Sequence, residues 1–223
     1  EQGMPADKVF VVPEGVDINR FKPVDFTGRM HYKDDRFKFL IFGRWDYRKY
    51  TTEMVRAFIE TFDKDEPVDL ILSADNPYPV DTYNSTEERL EKYGLQDKRI
   101  KILHFPDDAK YVDYLQRGHV LLGVSRSEGW GLPQMEALAC GTPTIITDWG
   151  APLEFGKAAY KVRVKEFKSP ENVFMQDNNV PGLWAEPDYE HLKEMMRYVY
   201  ENYKECKEQT MKNLPYVQQF TWE

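Results

Sequence analysis

The sequence predicts an α/β fold, a doubly wound parallel sheet of the Rossmann-like kind, on three observations. Six short β-rich runs recur along the chain: Val9 to Val12, Phe37 to Phe42, Asp69 to Ser73, Ile100 to His104, Val120 to Val124 and Thr144 to Thr147. Most are apolar on consecutive residues, the pattern of strands covered on both faces. Helical patterns lie between most of them, and strand–helix alternation at this spacing builds a parallel sheet.

Each helix carries its own signals. Thr51 and Thr52 are expected to cap a helix whose Val55, Phe58, Ile59 and Phe62 fall on one stripe. Ser85 and Glu88 form a capping box, and Gly94 ends that helix. A third helix runs from about Ala109 to Arg117 and stops at Gly118; a fourth begins near Pro133 and stops at Gly141. The last starts at Asp188, with Leu192, Met195, Met196, Val199 and Tyr203 as its buried stripe. Lys165 to Gly182 is polar and turn-rich and reads as a long loop.

Composition narrows the function classes. Apolar residues make up 41% and charged residues 30% of the 223, the balance of a soluble globular protein. Acidic residues outnumber basic ones, 38 to 30, for a net charge of -8, which argues against a general nucleic-acid binder. Cys140 and Cys206 are too few and too separated for a disulfide framework, so the cytoplasm is the expected compartment. No run approaches transmembrane length. The chain opens at Glu1 without an initiator Met and stops on Phe220-Thr221-Trp222-Glu223, so a fragment of a longer protein is expected.

Ligands of open parallel sheets bind beyond the carboxyl ends of the strands. After the run Val120 to Val124 comes Ser127-Glu128-Gly129-Trp130-Gly131-Leu132-Pro133-Gln134-Met135-Glu136. A glycine loop opening a helix leaves N–H groups, here those of Gly129, Trp130, Gly131 and Leu132, and a positive dipole end for a phosphate. Glu128 and Glu136 bracket that seat, and a carboxylate suits the vicinal hydroxyls of a ribose or hexose. The plainer alternative is two solvated carboxylates around a turn. After Phe37 to Phe42, Gly43-Arg44 and Arg48-Lys49 place cations where a diphosphate would be met from the other side.

These stretches resemble glycosyltransferase family 4, retaining enzymes of the GT-B fold, in the C-terminal, donor-binding half. The family pattern E-G-F-G-L-P-x-x-E-A-x-A-C-G-x-P-V is matched from Glu128 to Thr144; G-R-x-x-x-x-K-G is matched by Gly43-Arg44 through Lys49, with Tyr50 in place of the last glycine; and N-G-V-D-x-x-x-F-x-P is matched from Glu14 to Pro23. The resemblance resumes near Gly182 to Asn202. It implies an interdomain segment and first strand over 1–23 and a nucleotide-sugar domain over 24–223, with the acceptor domain elsewhere.

By the same resemblance, Arg44 and Lys49 neutralise the departing diphosphate, Glu128 faces the transferred sugar, and Glu136 holds the ribose. The strand end at Leu103 to Phe105 is where the base is expected, so His104 and Phe105 join the candidates, a core or surface role being the plainer reading of His104. The donor is a UDP- or GDP-linked sugar and the acceptor a glycan or lipid hydroxyl, with peripheral membrane attachment left open. Tyr50 is expected to crowd the phosphate loop.

No metal or other cofactor is expected: Asp63-Lys64-Asp65 reads as a turn, and His31, His104, His119 and His191 have no ligand spacing. A non-catalytic interaction module and a sugar-nucleotide 2-epimerase are the rivals. No G-x-G-x-x-G supports a nicotinamide dehydrogenase.

Overall fold

The computed structural model describes residues 5–24, 36–76, 85–104, 106–170 and 182–222. Six parallel strands form the central sheet: β1 (Phe37–Phe42), β2 (Val68–Ser73), β3 (Ile100–Ile102), β4 (Val120–Gly123), β5 (Thr144–Thr147) and β6 (Tyr160–Val162). Their spatial order is β3-β2-β1-β4-β5-β6, so the winding reverses between β1 and β4. That reversal opens a crevice at the carboxyl ends of these two strands.

The helices linking them are α1 (Thr51–Thr61), α2 (Thr86–Lys92), α3 (Asp108–Arg117), α4 (Leu132–Ala139) and α5 (Pro152–Phe155). After β6 come an antiparallel hairpin of β7 (Val164–Lys168) and β8 (Trp184–Pro187), then α6 (Tyr189–Glu201) and α7 (Tyr203–Val217). The consecutive apolar residues of β1 supply both faces of the sheet. Phe37, Phe39 and Ile41 enter a core with Met54, Val55 and Phe58 of α1 and Leu192, Met196 and Val199 of α6. Leu40 enters the opposite core with Leu115, Met135, Leu138 and Phe155.

The predicted strands from β1 onward and the first four helices are present, with ends shifted by a few residues. Ser85 and Glu88 make both bonds of the capping box, and Gly94 turns left-handed at φ 61°. Four expectations are corrected. Val9 to Val12 form no strand: the run has no neighbour to pair with among the described residues, and its side chains are 59–83% exposed. Thr51 and Thr52 do not cap α1: both lie inside its first turn, and the cap position is Tyr50. The last helix breaks at Asn202, so Tyr203 opens α7. The loop expected over Lys165 to Gly182 begins as strand β7, and its 171–181 lies outside the described residues.

The segment that matches the interdomain pattern packs onto this body. Val16 N donates to Phe220 O at 2.8 Å, and Val16 and Phe21 are buried in the core with Trp130 and Val217. Gly15 allows that approach, because a Cβ there would lie 2.6 Å from the Thr221 carbonyl carbon.

Candidate functional site

The crevice at the β1/β4 reversal holds a solvent-open cleft of about 280 Å³, lined by Gly43 and Arg44 after β1, Lys49 and Thr51 at the start of α1, Gly123 at the end of β4, Val124 and Glu128 after it, and Gln134 of α4. The loop after β1 carries cations and the loop after β4 carries the carboxylate. Lys49 Nζ lies 2.6 Å from Glu128 Oε1, and Arg48 Nη1 lies 3.2 Å from Oε2. The Glu128 side chain is only 6% exposed, which makes this pair sheltered and its Coulomb attraction stronger than on open surface. Arg48 Nη1 also donates to Ser127 O at 2.5 Å.

Tyr50 sets the end of that cation loop. It is the only non-glycine residue with positive φ among the described residues, at φ 57° and ψ 24°. That explains the glycine of the family pattern, since this position needs the left-handed region. The expected crowding does not occur: the Tyr50 side chain turns away from the cleft lining, is buried to 2% exposure and donates from its hydroxyl to Pro187 O at 3.2 Å.

On the other side, Gly131 enters α4 at φ 103° and is the N-cap, and Pro133 occupies the first turn where its missing N–H costs no bond. Gln134 Nε2 donates to Gly123 O at 3.0 Å and fixes that first turn to the end of β4. Gly123 admits the contact, as a Cβ there would lie 2.4 Å from Gln134 Cγ. Leu132 is exposed and Gly129 has open space around it, so the helix start faces outward. Trp130 does the reverse: its indole is buried, donates to Met135 Sδ at 3.3 Å and packs on Phe155 and Phe220.

Glu136 sits one turn into α4, outside the cleft lining, and accepts from Tyr111 Oη of α3 at 2.5 Å. Burial raises the carboxyl above its ordinary value of 4.5, and the Tyr111 hydroxyl and Arg20 pull it back down. Arg20 is itself paired with Asp108 at 3.1 Å.

Of the predicted residues, Gly43, Arg44, Lys49 and Glu128 converge on the cleft; Gly129, Trp130, Gly131 and Leu132 lead from Glu128 into α4 and are outside its lining, which α4 enters through Gln134. Glu136 lies one turn into α4, also outside the lining. His104 follows β3, two strands from the cleft, and bridges Asp75 (3.1 Å) and Glu87 (2.9 Å). Phe105 lies outside the described residues. Asp63 and Asp65 sit before β2, at the opposite end of the sheet from the cleft. Two residues that sequence reasoning missed complete the surroundings, Tyr111 and Arg126. Tyr111 with Leu115 reads as an ordinary apolar stripe. Arg126 carries one weak signal, a cation two residues after the apolar run that ends at Val124.

Known proteins share this fold. The model of the family described as glycosyl transferases group 1 matches residues 29–213. A phosphatidylinositol N-acetylglucosaminyltransferase chain from Arabidopsis thaliana is 29% identical over 148 residues, 66% of this chain and 31% of its own length. The chain thus spans about a third of that relative. Among solved structures, the C-terminal domain of a glycosyl transferase group 1 family protein (LpcC) from Francisella tularensis aligns at TM-score 0.69 and 22% identity, over 94% of this chain and all of that one. Anabaena Alr3699/HepE in complex with UDP and glucose aligns at TM-score 0.72 and 17% identity, over 98% of this chain and 55% of that one. These likenesses show a shared Rossmann-like, GT-B fold, and the match to the family model over most of its length makes the chain a member of the glycosyl transferases group 1 family.

Proposed function

We propose that the chain is the donor-binding domain of a retaining glycosyltransferase, which takes a hexose from a nucleotide-diphosphate sugar to an acceptor hydroxyl. The observation that carries this is the meeting of Lys49 and Glu128 at 2.6 Å across the β1/β4 reversal, beside Arg44 and the start of α4. Two carboxylates and a set of cations around a helix N-terminus suit a ligand with both a diphosphate and hydroxyls. The UDP and glucose held by the Anabaena relative agree with that ligand class.

In this reading the bond from the anomeric carbon to the diphosphate oxygen breaks and its electron pair leaves with the diphosphate, while the acceptor hydroxyl oxygen bonds to that carbon and gives up its proton to the departing diphosphate. Arg44, Lys49 and the amides at the start of α4 stabilise that charge, an effect worth roughly 3 kcal/mol per donor group. Lys49 is paired with Glu128, so a diphosphate oxygen competes for its ammonium and leaves Glu128 to accept from sugar hydroxyls. Glu136 holds the ribose diol through its Oε1. No metal step is needed. The acceptor, a glycan or lipid, is held by a further domain, and this chain by itself binds donor without transferring it. We place the protein in the cytoplasm or at a membrane surface; no helix among the described residues is long and apolar enough to cross a membrane.

A thermal-shift series of this chain with UDP, GDP, ADP and their sugar conjugates tests the reading. A ligand at about a hundred times its dissociation constant stabilises the fold by roughly 2.7 kcal/mol. One nucleotide is expected to shift the transition in the wild type and to shift it much less in Lys49→Ala or Glu136→Ala. No shift with any of them defeats the proposal.

A further inference from the structure

Two residues before Glu128, in the same loop, lies the buried cation Arg126, 3% exposed and outside the set of residues that line the cleft. Its guanidinium meets Glu186 of β8 through Nε (2.7 Å) and Nη2 (3.0 Å), Glu53 of α1 through Nη2 (2.9 Å), and the carbonyl of Tyr47 through Nη1. Its guanidinium carbon also lies 3.6 Å from the Tyr47 ring centroid and 4.5 Å from that of Tyr50. Its backbone N donates to Arg48 O at 2.8 Å, and its carbonyl accepts from Ala185 N at 3.0 Å. The contacts therefore grip the chain on both sides of Arg48 and Lys49: the carbonyls of Tyr47 and Arg48, the rings of Tyr47 and Tyr50.

Such a burial is costly for a charge unless its partners are complete. Here all three guanidinium nitrogens are used: Nη1 and the two ring contacts hold the cation loop, while Nε and Nη2 anchor to Glu186 and Glu53. Lys49 and Arg48 have long side chains whose reach to Glu128 depends on where their backbone is held. Tyr50 is held left-handed at φ 57°, a conformation unfavourable for a residue with a Cβ, and the guanidinium beside its ring helps to keep it there.

We propose that Arg126 is a positioning residue: it locks the Tyr47–Tyr50 turn to β8 and α1, so that Arg48 and Lys49 are presented to Glu128 and to a diphosphate in the cleft. The diphosphate part of this inference rests on the donor-binding reading above. It also ties the β7–β8 hairpin to the cleft, through Glu186. Arg126 acts through Lys49 and does not itself touch the ligand.

The test uses the 223-residue chain and the variants Arg126→Lys, Lys49→Ala and their double. A lysine keeps the charge but loses the planar fork and its several simultaneous bonds. Hydrogen exchange over residues 44–50 is expected to accelerate about tenfold or more in Arg126→Lys, with exchange in β1 and β2 unchanged. Calorimetric titration with UDP and UMP, and in parallel GDP and GMP, is expected to show the diphosphate bound about tenfold more weakly and the monophosphate within about twofold of wild type. In the Lys49→Ala background Arg126→Lys is expected to cost clearly less than in the wild-type background, because coupled residues are not additive and only Arg48 is left to be positioned.

Unchanged exchange over 44–50, equal losses for di- and monophosphate, or additive losses with Lys49→Ala each overturn the proposal. If Arg126→Lys does not fold, Glu186→Gln removes one anchor, leaves Arg126 in place and carries the same expectations. A wild-type chain that binds neither diphosphate overturns the donor-site reading, whereas wild-type binding that Arg126→Lys leaves untouched overturns this proposal alone.

Discussion

Tyr111 donates from its hydroxyl to Oε2 of Glu136 at 2.5 Å, and its ring is held edge-on by Phe42 (5.1 Å) and Phe21 (6.2 Å). Phe42 closes β1 and lines the cleft, so the pair connects Glu136 to the cleft wall. The bond fixes one carboxylate oxygen and leaves the other without a hydrogen bond among the described residues. Since burial raises the Glu136 carboxyl and Tyr111 lowers it, Tyr111→Phe raises it further. Nucleotide affinity that depends on ionised Glu136 is then lost at a higher pH than in wild type. At neutral pH the variant should bind about three- to tenfold more weakly, the value of one hydrogen bond. Titrations from acid to neutral pH check this, and superimposable pH profiles would sink it.

Tyr50 offers a test in which two effects oppose. Replacing it by glycine relieves a left-handed backbone worth roughly 1–2 kcal/mol. It also empties a site where a ring is buried to 2% exposure and removes the bond to Pro187 O. Large aromatic truncations cost roughly 3–5 kcal/mol, so Tyr50→Gly should destabilise the fold despite matching the family pattern. Tyr50→Phe should lose only about 1 kcal/mol. Urea unfolding of the three proteins gives the ranking wild type, Phe, Gly; a glycine variant as stable as wild type would reverse it.

How much of this is legible in the sequence follows from which contacts are local. β1 is legible to the residue because its apolar run must be covered on both faces, and the capping box of α2 is closed within four residues. Val9 to Val12 has the same apolar pattern and no sheet neighbour among the described residues, and pattern alone does not tell the two apart. β7 escapes pattern reading because three of its five residues are charged, without apolar alternation, and it is mostly exposed, and the break at Asn202 does so because no glycine or proline marks it. In the site, Lys49 and Glu128 are legible from motif spacing. Tyr111 and Arg126 are not, since their partners lie 25 and up to 79 residues away along the chain.

His104 gives a spectroscopic prediction. Glu87 first and Asp75 second raise the imidazole above its ordinary 6.5, because both ring nitrogens face carboxylates. A raised histidine stabilises the fold below 6.5, and the contribution fades as pH rises through the higher folded value. With the side chain 52% exposed, solvent screening limits it to no more than about 0.5 kcal/mol. A proton NMR titration should place the His104 midpoint above 6.5 and find it lower in Glu87→Gln. A midpoint that Glu87→Gln leaves in place would remove the clamp from consideration.

His119 behaves in the opposite sense and gives the larger pH effect. It is 4% exposed, stacks on Phe37 at 4.4 Å, and its Nδ1 accepts from the backbone N of Lys38 at 3.0 Å. Burial, then Lys38 and Lys207, press its pKa from 6.5 down to about 4. Between these values the unfolded chain holds a proton that the folded chain refuses. Stability contributed by neutral His119 is therefore complete above 6.5 and lost as pH falls toward 4. The loss reaches about 3 kcal/mol at the bottom of the window, at 1.36 kcal/mol per pH unit. His119→Asn keeps an acceptor for Lys38 and has nothing to titrate. It should be less stable than wild type at neutral pH, through lost stacking, yet show a flatter decline toward acid. Denaturant unfolding at half-unit steps of pH resolves the two curves: convergence on the acid side confirms the buried neutral imidazole, and parallel curves assign the acid sensitivity to other groups.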